Sequence, residues 1–321
     1  MPEAQFIQLH HPEHSPLNAE ITAGLAEPAA RVSPKFFYDA LGSRLFDAIT
    51  ELDEYYPTRT EAAILQARRT EIAAAVHSHL GAAPTLVDLG AGNCAKAASL
   101  FDVLQPAQYM ALDISVDFLR HALSRLQQLH PRVAMTGVGL DFSNQLVLPA
   151  GLLSGPALLF YPGSSIGNFS PDEALRLLRQ AHALCAGGAL LIGVDLVKPA
   201  AVLEAAYDDA LGVTAAFNLN LLRHLNRLIG SDFDVRQWRH VALYDTAASR
   251  IEMHLEARQA LAVQWPGSER RFAAGERIHT ENSYKWQRVD FEALLRDAGF
   301  RRVQGWVDDQ GWFAVLLALA V

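Results

Sequence analysis

Two glycines and a distant carboxylate carry the first chemical information in this chain. Gly90-Ala91-Gly92 closes the apolar run Leu86-Val87-Asp88-Leu89, and Asp113 ends a second run, Met110-Ala111-Leu112, 23 residues after Gly90. Glycines so placed let backbone approach a ligand closely, and the distal acid can accept hydrogen bonds from ribose hydroxyls. The ligand class that follows is a nucleoside carrier, either a dinucleotide or S-adenosylmethionine. Ala95 stands where the dinucleotide pattern has its third glycine, and that pattern tolerates alanine. The turn alone therefore separates neither ligand from the other, nor both from a plain βα turn.

An S-adenosylmethionine site needs close backbone for the methionine part, a counter-ion for its carboxylate, an acid for the ribose and a polar pair for the adenine. Gly90, Gly92 and Asp113 supply the first and third. Lys96 can reach a carboxylate from the first helical turn, or it is a solvated helix lysine. Asp141-Phe142 offers an acceptor and a ring for adenine, or a loop acid beside a core aromatic. Gly163–Phe169 follows a fourth strand, on the side where open parallel sheets bind ligands. Its Asn168 has both donors and an acceptor, the alternative being a left-handed turn residue. The (Asn/Asp)-Pro-Pro-(Tyr/Phe) tetrapeptide of many nucleic-acid amine methyltransferases is absent, which argues against a base as substrate. Tyr55 and Tyr56, and then Tyr207, sit in polar aromatic segments that suit either a pocket or a core with wet hydroxyls. Alternation in Ile251–Leu255 and His279–Ser283 would set Met253, Glu281 and Ser283 on one wall. Met253 alone reads as core, and neither His254 nor His279 alone reads as a ligand.

The elements that must hold these residues follow from periodicity. Apolar runs at 85–89, 109–113, 133–138, 157–161 and 189–194 read as strands, separated by helices near 96–104, 116–129 and 171–186. Ser170-Pro171-Asp172-Glu173 is a capping box, and Gly187-Gly188 ends that helix. Residues 196–286 break the rhythm with helical patterns at 201–211 and 219–228 and alternating segments at 238–244 and 250–255, an α+β insertion. A helix at 290–298 then precedes strands at 300–307 and 312–320 in hairpin register. That terminal hairpin fits the seven-stranded sheet of S-adenosylmethionine-dependent methyltransferases better than a dinucleotide-binding domain. With 321 residues, half of them hydrophobic and a formal charge of -8, the chain reads as a globular enzyme of two lobes. No basic face suggests nucleic acid or an anionic membrane, and no apolar run is long enough to span a bilayer. Cys94 and Cys185 lack metal-ligand spacing and are too far apart in sequence to suggest a framework, so no metal is expected and the cytoplasm is.

Several blocks together resemble the histidine-specific Nα-methyltransferases of ergothioneine biosynthesis, from about residue 30 to the C-terminus. They are Phe37–Asp39 with Gly42-Ser43 and Leu45-Phe46, Glu54–Glu61, Gly90–Lys96, Gly163–Phe169 and Asp195–Lys198. Further on come Ala206–Asp209 with Gly212–Thr214 and Phe217-Asn218, Arg250–Met253, and Thr280-Glu281 with Ser283 and Lys285. The resemblance implies an α/β fold: a seven-stranded Rossmann-like class I methyltransferase sheet with an α+β substrate-binding domain. Residues 1–60 and 196–286 would form the latter, and 61–195 with 287–321 the methyltransferase domain. It implies S-adenosylmethionine contacts at Tyr38, Phe46, Gly90, Gly92, Lys96, Asp113, Asp141 and Phe142. Tyr55 and Asn168 would be catalytic, orienting the α-amine. Substrate contacts would come from Gly163, Tyr207, Thr214 and Phe217 near the amino-acid backbone, with Met253, Glu281 and Ser283 around the imidazole.

The activity implied is Nα-trimethylation of L-histidine to hercynine by a monomer, with no nucleic-acid or membrane partner. Cys94 departs from several relatives, which carry serine, and a thiol beside the cofactor is expected to be oxidation-sensitive. Two rival readings remain: methylation of another amino acid such as tryptophan or tyrosine, and a nicotinamide-dependent oxidoreductase.

Overall fold

Apolar runs of five to seven residues, each followed by a turn and an amphipathic helix, have one economical solution: parallel strands buried on both faces. The computed structural model, which describes residues 4–9, 14–143, 145–153, 155–185 and 187–321, adopts it. In chain order the strands are β1 Gln5–Gln8, β2 Thr85–Leu89, β3 Gln108–Asp113, β4 Ala134–Gly139, β5 Ala157–Tyr161, β6 Ala189–Asp195, β7 Trp238–Asp245, β8 Arg250–Ala257, β9 Leu261–Trp265, β10 Ser268–Phe272, β11 Arg277–Tyr284, β12 Arg301–Val307 and β13 Phe313–Leu319. The α-helices are α1 His14–Ala26, α2 Ala40–Thr50, α3 Tyr56–Leu80, α4 Ala95–Ala98, α5 Phe101–Leu104, α6 Val116–Leu129, α7 Pro171–Cys185, α8 Ala200–Tyr207, α9 Val213–Ile229 and α10 Arg288–Asp297.

The chain divides into two units. The first holds residues 1–10, 57–197 and 285–321, and the second holds 11–56 and 198–284. In the first unit the sheet order is β1-β4-β3-β2-β5-β6-β13-β12. Strands β2 to β6 pair in parallel, β13 runs antiparallel to β6, and β12 antiparallel to β13. The described sheet thus has eight strands, one more than expected, because β1 pairs in parallel with the edge of β4. This segment belongs to the sheet and not, as residues 1–60 were expected to, to the second unit. Gly137 makes room for it: a Cβ there would lie 2.3 Å from a ring carbon of Phe6. Four residues, of which the two at the ends are exposed glutamines, give no periodic signal from which such a strand could be read.

Alternate residues of the central strands feed opposite cores. Val87 and Leu89 join α7 and α10 on one face, whereas Leu86 and Tyr109 join α3 and α6 on the other. The capping box is as expected, with Ser170 N and Oγ both donating to Glu173 Oε2, at 2.9 and 2.6 Å. The helix expected over 96–104 instead breaks into α4 and α5. The Ser99 hydroxyl donates to Lys96 O at 2.6 Å, a local bond that competes with helix propagation.

The second unit holds a three-stranded antiparallel sheet, β11-β8-β7, a β9–β10 hairpin and helices α1, α2, α8 and α9. Helix α9 begins at Val213, six residues earlier than its apolar pattern suggests. Asp209 explains the early start, accepting from Val213 N at 2.9 Å and Thr214 N at 2.7 Å and so satisfying two N–H groups of the first turn. Helix α2 is capped by Asp39, which accepts from Gly42 N at 2.7 Å and from Asn220 Nδ2 at 2.8 Å. Among the described residues, no helix is long and apolar enough to cross a membrane.

Candidate active site

In the first unit the expected nucleoside-binding residues gather at the C-terminal ends of β2, β3 and β4. Gly90 and Gly92 have φ of +72° and +52°, a region in which only glycine is unstrained. No atom lies within 4 Å of where a Cβ on Gly92 would be, and a Cβ on Gly90 would meet only Phe142 Cζ, at 3.7 Å. Asp113 locks the turn: Oδ2 accepts from Gly92 N and Oδ1 from Ser115 N, both at 2.8 Å. Burial lifts the Asp113 carboxyl above its ordinary value, and those backbone N–H groups oppose the lift. Asp141 accepts from Ser143 N at 3.1 Å, while the Phe142 ring meets Tyr161 edge-on at 5.9 Å. An open backbone cradle, an acid at the next strand end and a ring beside the first glycine fit a nucleoside-bearing donor.

The loop after β5 is held by a feature outside the expected set. Glu61 on α3 is fully buried and accepts from Lys96 Nζ at 2.7 Å and from Gly163 N at 2.8 and 3.0 Å. Lys96 is therefore neither a solvated lysine nor an isolated one. Asn168 ends a short 3-10 turn, Ser165–Asn168, and is half-buried. The left-handed residues of this loop are Gly163 and Ser164, not Asn168, so its amide is not explained by turn geometry.

In the second unit the expected residues form a continuous path. The ring of Phe217 lies 5.9 Å from Tyr38 and 6.0 Å from Phe46, and Phe46 lies 6.2 Å from Tyr55. Tyr55 meets Tyr207 at 6.2 Å, and the Tyr207 hydroxyl donates to Ser283 Oγ at 2.7 Å. Strand pairing sets Glu281 opposite Met253 and Ser283 opposite Ile251, so Met253, Glu281 and Ser283 share one face of the sheet, all buried. A bulge between His279 and Glu281 sets this register. Thr214 is buried at the start of α9. On the same sheet face His240 bonds the Tyr207 carbonyl through Nε2 at 2.8 Å and Asn218 Nδ2 through Nδ1 at 2.9 Å. Burial holds its imidazole below the usual pKa, so the ring stays neutral and acts as a strut for Tyr207.

Residues 17–320 match the family described as histidine-specific methyltransferases, SAM-dependent. The chain belongs to that family. It is 40% identical over 310 residues to the histidine N-alpha-methyltransferase of Mycolicibacterium smegmatis, covering 94% of each chain. It is 40% identical over 313 residues to that of Mycobacterium tuberculosis, covering 95% of each. Ergothioneine biosynthesis protein 1 of Neurospora crassa is 31% identical over 291 residues, covering 88% of this chain and 32% of that one.

For a histidine-specific methyltransferase the ambiguity of the glycine turn is resolved, and the nucleoside carrier is S-adenosylmethionine. Two buried groups beneath the turn went unassigned by sequence reasoning. Asp88 accepts from the Tyr109 hydroxyl at 2.7 Å, its Oδ1 has no hydrogen-bond partner among the described residues, and burial pushes its carboxyl up to about 7. Glu61 was visible only as the last residue of a matching block. Its helical position gives no sign that it is buried. Cys94 departs from expectation. Its thiol is buried and burial pushes it up to about 12, so it stays protonated and inert.

Two further contacts made by residues of the matching blocks lie within single units. Lys285 pairs with Asp195 at 2.8 Å, and Lys198 donates to the Tyr56 hydroxyl at 2.8 Å.

Proposed function

We propose that this chain transfers three methyl groups from S-adenosylmethionine to the α-nitrogen of L-histidine, giving hercynine, a step of ergothioneine biosynthesis. The observation that carries this reading is the buried polar wall of Glu281, Ser283 and Tyr207 with Met253 beside it. An imidazole is the amino-acid side chain that offers one N–H and one bare nitrogen, and a carboxylate and a hydroxyl can meet both at once. An indole has one donor and would leave the second group unpaired, which costs far more than a misfitting methylene. The two mycobacterial relatives support the same substrate by their names.

In this reading Gly90, Gly92, Lys96, Asp113, Asp141 and Phe142 bind the donor, together with Tyr38 and Phe46. Donor-bound, the site gains a sulfonium whose methyl carbon is electrophilic. Tyr55 and Asn168 orient the α-amine, and Gly163, Tyr207, Thr214 and Phe217 surround the amino-acid backbone. An α-ammonium must lose a proton before it can act as nucleophile, so the work of these residues is positioning and tuning of the neutral amine. Water or a tyrosine hydroxyl takes the proton. The second unit is the amino-acid-binding domain, and the protein acts as a cytoplasmic monomer. Mass spectrometry after incubation of each proteinogenic amino acid with protein and S-adenosylmethionine tests the assignment. A trimethylated product from histidine alone is expected, and trimethylation of another amino acid in its place would overturn the roles of Glu281 and Ser283.

A further inference from the structure

The buried carboxylate of Glu61 joins four separate segments of the first unit. It stands on α3, takes the Lys96 ammonium that follows the glycine turn, and takes the Gly163 amide that opens the loop to Asn168. The fourth segment is β6, a fully buried strand whose run of apolar side chains from Ala189 to Val194 is interrupted by Gly193. A glycine there weakens the strand, yet a Cβ would come 1.9 Å from Glu61 Oε1. The strand therefore yields its side chain to the carboxylate. Gly163 is constrained from the other side, since a Cβ on it would lie 3.1 Å from Lys96 Nζ.

A carboxylate with no exposure is tolerable only when its oxygens are bonded, and here an ammonium and a backbone amide bond them. The two partners differ in accessibility, because the Lys96 side chain remains 31% exposed while Glu61 is 0% exposed. An ammonium has three donors, one of which is committed to Glu61. Its tip is thereby fixed in direction without being walled in, as a clamp for a ligand carboxylate requires.

We infer that Glu61 is a positioning residue. It aims Lys96 at the carboxylate of the methyl donor and, through Gly163, ties the Asn168 loop to the same anchor. The inference rests on the donor being S-adenosylmethionine. Glu61 touches neither substrate. A neutral amide at this position has one acceptor oxygen for two donors and turns its own N–H₂ towards one of them, so Glu61→Gln releases Lys96, the Gly163 amide, or both.

The test is a double-mutant cycle on the full-length protein, with S-adenosylhomocysteine binding by calorimetry as readout and the melting temperature of every variant recorded. Failure of the wild type to bind S-adenosylhomocysteine would withdraw the donor assignment, a different failure from the one that concerns Glu61. With wild-type binding established, Glu61→Gln should weaken it about tenfold, the scale of one charge-assisted hydrogen bond. Lys96→Met should do the same, and the double variant should be no weaker than Lys96→Met alone. KM for histidine at saturating donor should rise in Glu61→Gln, where the Gly163 amide that opens the Asn168 loop loses its acceptor, and stay within about twofold in Lys96→Met, where that amide keeps it, a split that general destabilisation would not produce. Unchanged binding in Glu61→Gln, or losses that add in the double variant, would overturn the inference. If Glu61→Gln does not fold, Glu61→Asp decides in its place: it keeps the charge but withdraws it by one methylene, and wild-type affinity in that variant would also overturn it.

Discussion

The Tyr207 hydroxyl donates to Ser283 Oγ at 2.7 Å, on the same sheet face that carries Glu281 and Met253. The bond fixes the Ser283 hydroxyl relative to the Tyr207 ring. In the proposed reading this hydroxyl and the Glu281 carboxylate meet the two nitrogens of the substrate imidazole. Tyr207→Phe removes the bond that holds the hydroxyl in place. KM for histidine should rise about tenfold with S-adenosylhomocysteine affinity unchanged, and steady-state kinetics beside calorimetry checks both halves.

Glu281→Ala should reduce kcat/KM for histidine roughly a hundredfold, because the imidazole N–H is left without an acceptor in a buried wall. Competition between histidine and other amino acids, read by mass spectrometry, reports the discrimination directly. An unchanged preference for histidine would remove Glu281 from the imidazole site.

Asn168→Ala acts differently, since the amide is assigned to the amine that all amino acids share. Turnover should fall with every accepted amino acid and selectivity should not move. Wild-type kcat in that variant would end the assignment.

Asp88 predicts a pH dependence. Its carboxyl keeps a proton in the folded chain to about pH 7, against an ordinary value of 3.8. Between those values the folded state binds more protons than the unfolded state, so this group lowers stability as pH rises, and the loss levels off above about 7. Asp88→Asn cannot ionise, so its urea midpoint should gain on the wild type between about pH 5 and about pH 8. A constant difference at both pH values would show that Asp88 is ionised throughout.

The Lys285–Asp195 pair, 0% and 1% exposed, predicts a stability effect separate from catalysis. Lys285→Met leaves a buried carboxylate without its ammonium and should cost about 3–5 kcal/mol in urea denaturation. Lys285→Met with Asp195→Asn should recover part of that loss.

The parallel strands were legible because strands buried on both faces are written as continuous apolar runs. Thr85–Leu89 and Tyr109–Asp113 agree with β2 and β3 to within a residue. The Met253, Glu281 and Ser283 wall was legible because period two holds locally, over Ile251–Met253 in β8 and over Glu281–Ser283 beyond the bulge in β11. What could not be read has local causes. The break after α4 comes from one serine hydroxyl, and the early start of α9 comes from an aspartate three residues before its N-cap. The β9–β10 hairpin was announced only by Pro266-Gly267, where Gly267 has φ +80°. Glu61 was illegible for a deeper reason. Nothing in a helical glutamate's neighbours in sequence reveals that a glycine on a strand more than a hundred residues away has vacated space for it.

Strand β1 has a bearing on how the protein behaves in concentrated solution. Strand β4 is buried along all but its first residue, and β1 engages its outer row of N–H and C=O groups, residues Gln5 to Gln8 against Thr136 to Gly139. Stripped of those four residues, β4 would present an unpaired apolar ribbon of the kind on which other chains assemble. A truncation before Leu9 would therefore leave the chemistry in place while inviting clumping, which light scattering would register before any assay of methyl transfer did.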